Sequence, residues 1–154
     1  MTAGLRTCLW MAQGGLEAAE FYVSLIAGSA ILGTSRFDPD GPPLIIEFQL
    51  GGVPYMILNG SPQFKLSEAV SISVLTEDQA ETDRLWKALI ADGGQERDCG
   101  WLIDRWGLAW QITPRAVMEM NFSDDPAASE RARQAMYKMK KLDIAVMQAA
   151  FDGA

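Results

Sequence analysis

The hydrophobic positions of this chain change period several times, and the changes outline a doubled pattern. Arg6–Met11 is a short apolar run that predicts a strand, broken by Gln13-Gly14-Gly15. From Leu16 to Ala27, the residues Phe21, Tyr22, Leu25 and Ile26 recur at helical spacing, and Gly28 supplies a helix stop. Three extended stretches follow, Ala30–Phe37, Leu44–Leu50 and Val53–Leu58, separated by Asp38-Pro39-Asp40-Gly41-Pro42 and by Gly51-Gly52.

The second half begins in the same way. Val70–Leu75 reads as a strand, and Thr76-Glu77-Asp78-Gln79 as a capping box, with the Thr hydroxyl accepting from the Gln79 amide. A helix to Ala91 follows, with Leu85, Leu89 and Ile90 on one side, and Asp92-Gly93-Gly94 stops it. Further strands are expected at Gln95–Cys99, Trp101–Asp104 and Ala109–Thr113. The helices are therefore placed at about 15–27 and 77–91, and Phe21–Gly28 aligns over Leu85–Asp92.

Each half reads as strand, helix and three strands, so the expected class is α+β with paired βαβββ modules. Neither module covers both faces of its own sheet, and two would combine around a shared concavity. The alternative is a generic α+β domain in which the two helices resemble each other by chance. One domain is expected over 1–154, with modules at about 1–66 and 67–114 and a helical tail at 115–154. In the tail, Arg115–Asn121 predicts a short helix, and Asp125-Pro126 is an N-cap and N1 pair opening a helix to about Lys141. Asp143 caps a last helix. Ala132, Met136 and Met139 form one stripe and Ile144, Met147 and Phe151 another, for packing on the domain or across a dimer.

Composition narrows the classes. The 154 residues are 49% hydrophobic and 21% charged, which is globular and long enough for a core. A net charge of −7 disfavours nucleic acid, whose phosphates need a basic face. Five of the 13 basic residues fall in 131–141, but beside Asp124, Asp125 and Glu130 they read as a solvated helix face. No run of about 18 apolar residues predicts a membrane span, and no signal peptide is read at the N-terminus. Cys8 and Cys99 are then expected to be reduced, with a cytoplasmic location by default.

The chain has no His, which removes Ser-His and Cys-His catalytic pairs and the commonest metal ligand. No activating partner for Cys8 is evident in the sequence, so it reads as a core thiol rather than a nucleophile. No cofactor motif is read: Gly14-Gly15 follows a strand, but what comes next does not fit a nucleotide-binding parallel sheet. The stretch from Asp104 to Pro114 is an acidic turn with Gly107, then an apolar strand carrying the polar Gln111. Trp10, Tyr55, Phe64, Trp101, Trp106 and Trp110 are candidate aromatic walls or core residues, and Asn59, Ser71 and Gln111 are candidate hydrogen-bonding groups. The ligand-binding set expected from these is Trp10, Asn59, Trp106, Trp110 and Gln111, with no metal ligand and no cofactor.

Several short stretches together resemble the PhnB-like family, often labelled 3-demethylubiquinone-9 3-methyltransferase-like. They are Thr7–Trp10, Ala18–Tyr22, Leu58-Asn59-Gly60, Glu68–Ser71, Cys99–Leu102, Asp104–Gln111 and Met139–Ile144. The family lies in the vicinal oxygen chelate superfamily, with glyoxalase I, bleomycin-resistance proteins and extradiol dioxygenases. The resemblance runs nearly end to end. It implies paired βαβββ modules, a homodimer, and a divalent metal held by His and Glu from four strand positions. Those positions align near Thr7, Asn59, Ala69 and Gln111, none of which is an imidazole or carboxylate, so the resemblance is to the fold without the ligands. Glu47 and Glu68 are the carboxylates that could substitute.

Two functions follow. One is a metal-free protein that binds a neutral or aromatic small molecule, with sequestration, as in the bleomycin-resistance relatives, as the role the resemblance implies. The other is an enzyme of the same superfamily, acting through unexpected metal ligands or through side chains such as Glu47 or Tyr55.

Overall fold

A computed structural model describes residues 4–154. The chain divides into two compact units, Met1–Leu66 and Ser67–Ala154. The first holds β1 (Thr7–Met11), α1 (Gly15–Leu25), β2 (Ala30–Ser35), β3 (Ile45–Leu50) and β4 (Val53–Asn59). The second holds β5 (Ser71–Thr76), α2 (Gln79–Ile90), β6 (Gln95–Glu96), β7 (Trp101–Ile103) and β8 (Ala109–Pro114), followed by α3 (Arg115–Asn121), α4 (Pro126–Met136) and α5 (Ile144–Asp152). The doubled βαβββ order expected from the hydrophobic pattern is present.

The sheets share one topology. Strand order is β1-β4-β3-β2 in the first and β5-β8-β7-β6 in the second. The strand before each helix runs parallel to the last strand of its unit, Thr7 opposite Tyr55 and Ser71 opposite Ala109, and the remaining pairs are antiparallel. The helix is the crossover that a parallel pair requires.

Alternation along the strands decides which side each helix covers. In β3, Ile46, Phe48 and Leu50 are buried while Ile45, Glu47 and Gln49 are only partly so. Register puts Leu9, Ile57 and Ile46 in one cross-strand row. They form the first core with Ala18, Ala19 and Tyr22 of α1. The small alanines let the helix sit close, and each buried large side chain contributes roughly 1.5–3 kcal/mol. In the second unit, Trp110 and Ile112 of β8 lie with Leu85, Trp86 and Leu89 of α2 in the core.

Local expectations differ from the structure at three places. The cap of α2 is Asp78, whose carboxylate accepts from Glu81 N–H at 2.8 Å, while Glu81 accepts from Glu77 N–H at 2.9 Å. Thr76 is instead fully buried, its hydroxyl 2.6 Å from that of Thr82. Asp is as good a cap as Thr and leaves Thr76 to continue the ladder of β5. The strand expected at Gln95–Cys99 stops at Glu96, because Cys99 (φ +58°) and Gly100 (φ +83°) turn into the left-handed region. The helix expected to run to Lys141 ends at Met136, because the backbone beyond it is drawn to that turn: the N–H groups of Cys99 and Gly100 donate to Met139 and Lys140 carbonyls at 2.8 and 2.7 Å.

The tail stripes meet within the second unit. Val117, Met120, Ala132, Leu142 and Met147 form a buried cluster, with Met136, Met139, Ile144 and Phe151 packed against it. Gln79 fastens this tail to α2, donating to Leu142 O at 3.1 Å and accepting from Ile144 N–H at 2.9 Å.

Candidate functional site

In each unit, one face of the sheet is covered by its helix. The residues that alternation places on the other face are the candidates for binding.

In the first sheet, Arg6, Cys8 and Trp10 alternate with the buried Leu9 and Met11. The Trp10 indole lies over Gly60, where a Cβ would sit 2.1 Å from its Cζ2. Its Nε1–H donates to Ser61 O at 2.8 Å, and Phe64 meets it edge-on at 4.9 Å. Trp10 and Phe64 thus form an aromatic wall held by backbone. Glu47 shares this open side and is ion-paired with Arg6.

Asn59, expected in the ligand-binding set, does not share that side. It lies on the same strand face as Ile57, toward α1, opposite the buried Met11. Its Oδ1 accepts from Gly15 N–H at 3.0 Å and its Nδ2 donates to Pro43 O at 2.8 Å. The amide serves the start of α1, where Gly14 offers no side-chain cap. Thr7, aligned with a metal-ligand position, is on the same face of the sheet, opposite Tyr55, and Ala69 precedes β5.

In the second sheet the side away from α2 carries Ser71 and Ser73 of β5, Trp101 of β7, and Gln111 and Thr113 of β8, with Gln111 opposite both Ser73 and Trp101. Gln111 is half-buried and donates through Nε2 to Ser71 Oγ at 2.8 Å. Among the described residues its Oε1 has no hydrogen-bond donor. A half-buried amide oxygen on a neutral, hydroxyl-rich surface is a ready acceptor.

Trp110 points the other way and is fully buried, which corrects its expected place on a cavity wall. Its Nε1–H donates to Asp104 Oδ2 at 2.9 Å, and Asp104 Oδ1 accepts from Trp106 N–H at 2.9 Å and Leu108 N–H at 3.0 Å. With Gly107 at φ +89°, the acidic turn from Asp104 is a folding device for the β7–β8 hairpin. Trp106 sits in that turn, under the Arg105 guanidinium at 4.2 Å, and Arg105 pairs with Asp92 at 2.6 Å. Of the five expected residues, Trp10 and Gln111 lie on open faces, Asn59 and Trp110 on covered ones, and Trp106 in a turn.

The titratable groups are largely engaged. Glu68 pairs with Arg97 at 2.9 Å. Burial raises the Tyr55 phenol above its usual pKa, and burial followed by the charge of Asp98 raises the Cys99 thiol. Among the described residues no three His, Cys, Asp or Glu side chains converge. Nor is any described helix long and apolar enough to cross a membrane. Reasoning from sequence missed Arg6 as Glu47's partner. The signal was present, since alternation puts Arg6 opposite in sense to Leu9, and Glu47 to Ile46 and Phe48.

The sequence model of the family described as 3-demethylubiquinone-9 3-methyltransferase matches residues 3–113. The chain belongs to this family. Among solved structures it is similar to the PhnB protein of Bacillus cereus, at 29% identity and a TM-score of 0.66, covering 73% of this chain and 99% of that one. A Pseudomonas aeruginosa protein shares 20% identity at a TM-score of 0.60, over 73% and 98% of the two chains. The fosfomycin resistance protein FosX of Mesorhizobium loti shares the fold, at 17% identity and a TM-score of 0.51, over 71% and 90%. These neighbours belong to the vicinal oxygen chelate superfamily. No curated protein matches the chain in sequence. The matched residues span both βαβββ modules and stop before α3, so the helical tail lies outside the family's common part.

Proposed function

We propose that this family member binds a neutral small molecule on the open face of its second sheet, without a metal ion. The single observation that carries the reading is Gln111: it sits on the strand face away from α2, fixed through Nε2 by Ser71, with Oε1 lacking a donor among the described residues. Ser73, Thr113 and Trp101 surround it with hydroxyls and an aromatic surface and no formal charge. Such a surface suits a ligand with an N–H or O–H to offer and a flat or apolar body.

The metal implied by the superfamily fits these residues poorly. The donors at the aligned positions are amides and a hydroxyl, and the Asn59 amide is already committed to Gly15 and Pro43. The carboxylates of Glu47 and Glu68 are held by arginines. A divalent cation competes badly for neutral or paired donors. The family's methyltransferase description finds no support at the Gly14-Gly15 turn either. The first N–H of α1, which could greet a phosphate, already donates to Asn59 Oδ1.

An enzymatic role through Glu47 or Tyr55 is less well supported, because Glu47 is salt-bridged and Tyr55 keeps its proton at neutral pH. The expectation of a homodimer rests on the family, since the tail stripes that suggested it are used inside the second unit. Native mass spectrometry of freshly purified protein tests all three points: it reads bound small molecule, bound metal and subunit number in one spectrum. A bound organic ligand without metal supports the proposal. Stoichiometric zinc, nickel or manganese that survives dialysis contradicts it.

A further inference from the structure

The first unit carries a pocket that the Gln111 reading does not use. Leu5, Arg6, Leu32, Glu47, Pro54 and Tyr55 line a space of about 420 Å³. Its construction follows from strand register. Thr7 lies opposite Tyr55 on β4, so Arg6 begins beside Pro54 and reaches over β4 to Glu47, on the central strand β3. On the other side of Glu47 the cross-strand neighbour is Gly33, which lays no side chain over the carboxylate: a Cβ there would stand 3.7 Å from Oε2. The ladder slips between Ile31 and Gly33. Leu32 falls in that bulge and projects from the edge strand, 60% exposed, while Leu5 is 84% exposed.

The result is a half-exposed ion pair ringed by apolar side chains, with Arg6 and Glu47 at 43% and 39%. Arg6 meets Glu47 through Oε1; Oε2 has no hydrogen-bond donor among the described residues, and Arg6 keeps further N–H groups. A ligand with a single charge would satisfy one member of this pair and repel the other. A ligand with both charges close together satisfies both, its ammonium on Glu47 Oε2 and its carboxylate on the free N–H groups of Arg6. The exposed leucines and Pro54 then receive an apolar body. The volume is in the range of small-ligand pockets and larger than one amino acid needs.

We propose that this pocket binds a small zwitterion with an apolar body, of the class of hydrophobic α-amino acids, through the Arg6–Glu47 pair. The test uses the full-length chain labelled with nitrogen-15. L-Phenylalanine and L-leucine are titrated in, followed by N-acetyl-L-phenylalanine, which keeps only the carboxylate, and L-phenylalanine methyl ester, which keeps only the ammonium. Expected are saturable amide shifts at Leu32, Gly33 and Glu47 with the free amino acids, and binding weaker by about tenfold or more for each single-charge derivative. Glu47→Gln should weaken the amino acids to a similar degree. Leu32→Ser, at an exposed position that leaves the core intact, should weaken them severalfold with the remaining spectrum unchanged. The proposal is overturned if neither amino acid gives saturable shifts at tens of millimolar, if the acetylated and esterified forms bind as well as the parent, or if Leu32→Ser folds normally and binds unchanged.

Discussion

Asn59 Oδ1 accepts the backbone N–H of Gly15 at 3.0 Å, and a Cβ on Gly15 would lie 2.4 Å from that same oxygen. The two residues are mutually dependent. Gly15 lets the last residue of β4 come close enough to bond the first turn of α1, and Asn59 does the work of an N-cap that Gly14 cannot supply. Gly15→Ala should destabilise the chain by about 1–3 kcal/mol through overlap with Asn59 and Ile57. Asn59→Leu should cost about 1–2 kcal/mol through the unpaired N–H and carbonyl it leaves. Urea unfolding followed by circular dichroism measures both. A change under about 0.5 kcal/mol in either variant would show that this contact does not hold the helix.

Asp104 organises the β7–β8 hairpin with one carboxylate facing two backbone N–H groups and the Trp110 indole. Asp104→Asn replaces one acceptor by a donor, so at least one of these bonds is lost. The expected loss is about 2–3 kcal/mol, the scale of a buried bond to a charged group. Trp110 emission should shift as its environment loosens. An unchanged unfolding midpoint would mean that the turn holds without its acid.

The two thiols should differ in reactivity. Cys8, expected as a core thiol, is exposed because alternation in β1 sends it away from the buried Leu9, whereas Cys99 is part-buried with its pKa raised by burial and by Asp98. A raised thiol pKa means less thiolate at any pH below it, so Cys99 alkylation should be slow near pH 7 and accelerate as pH rises. Iodoacetamide labelling followed by peptide mass spectrometry should find Cys8 modified first. Equal rates at neutral pH would contradict the described surroundings of Cys99.

Gln79 ties α2 to the tail at both ends of its amide. Gln79→Ala should lower stability by about 1–2 kcal/mol. It should also speed amide exchange in α5 more than in α2. Uniform exchange would show that the tail is held by its apolar cluster alone.

Much of the fold was legible in the sequence because burial writes itself as periodicity. The alternation in Ile45–Leu50, the helical recurrence around Phe21–Ile26 and the Asp125-Pro126 and Asp143 caps each have one natural reading. What sequence could not give was set by partners distant along the chain. The end of α4 at Met136 depends on the Cys99–Gly100 turn, and the direction of Asn59 depends on Gly15, 44 positions away. The site was less legible for a related reason: a one-residue shift in register exchanges the two faces of a strand. Asn59 was expected as a ligand contact, but its place in β4 puts its amide on the side of α1. Trp110 was misplaced by identity, since an aromatic beside Gln111 suits a cavity wall, yet alternation already sends the two to opposite sides.

Gln111 is the proposed ligand contact, on the face of the second sheet away from α2. The direct measurement is the amount of small molecule carried through purification by the wild-type chain and by Gln111→Leu, read by native mass spectrometry with thermal unfolding alongside. The account predicts a bound organic ligand in the wild type. In the variant it predicts affinity reduced by about 1–3 kcal/mol, the usual cost of losing a hydrogen bond to a buried polar partner, with the unfolding temperature nearly unchanged. Equal occupancy in the two proteins, or none in either, would contradict it.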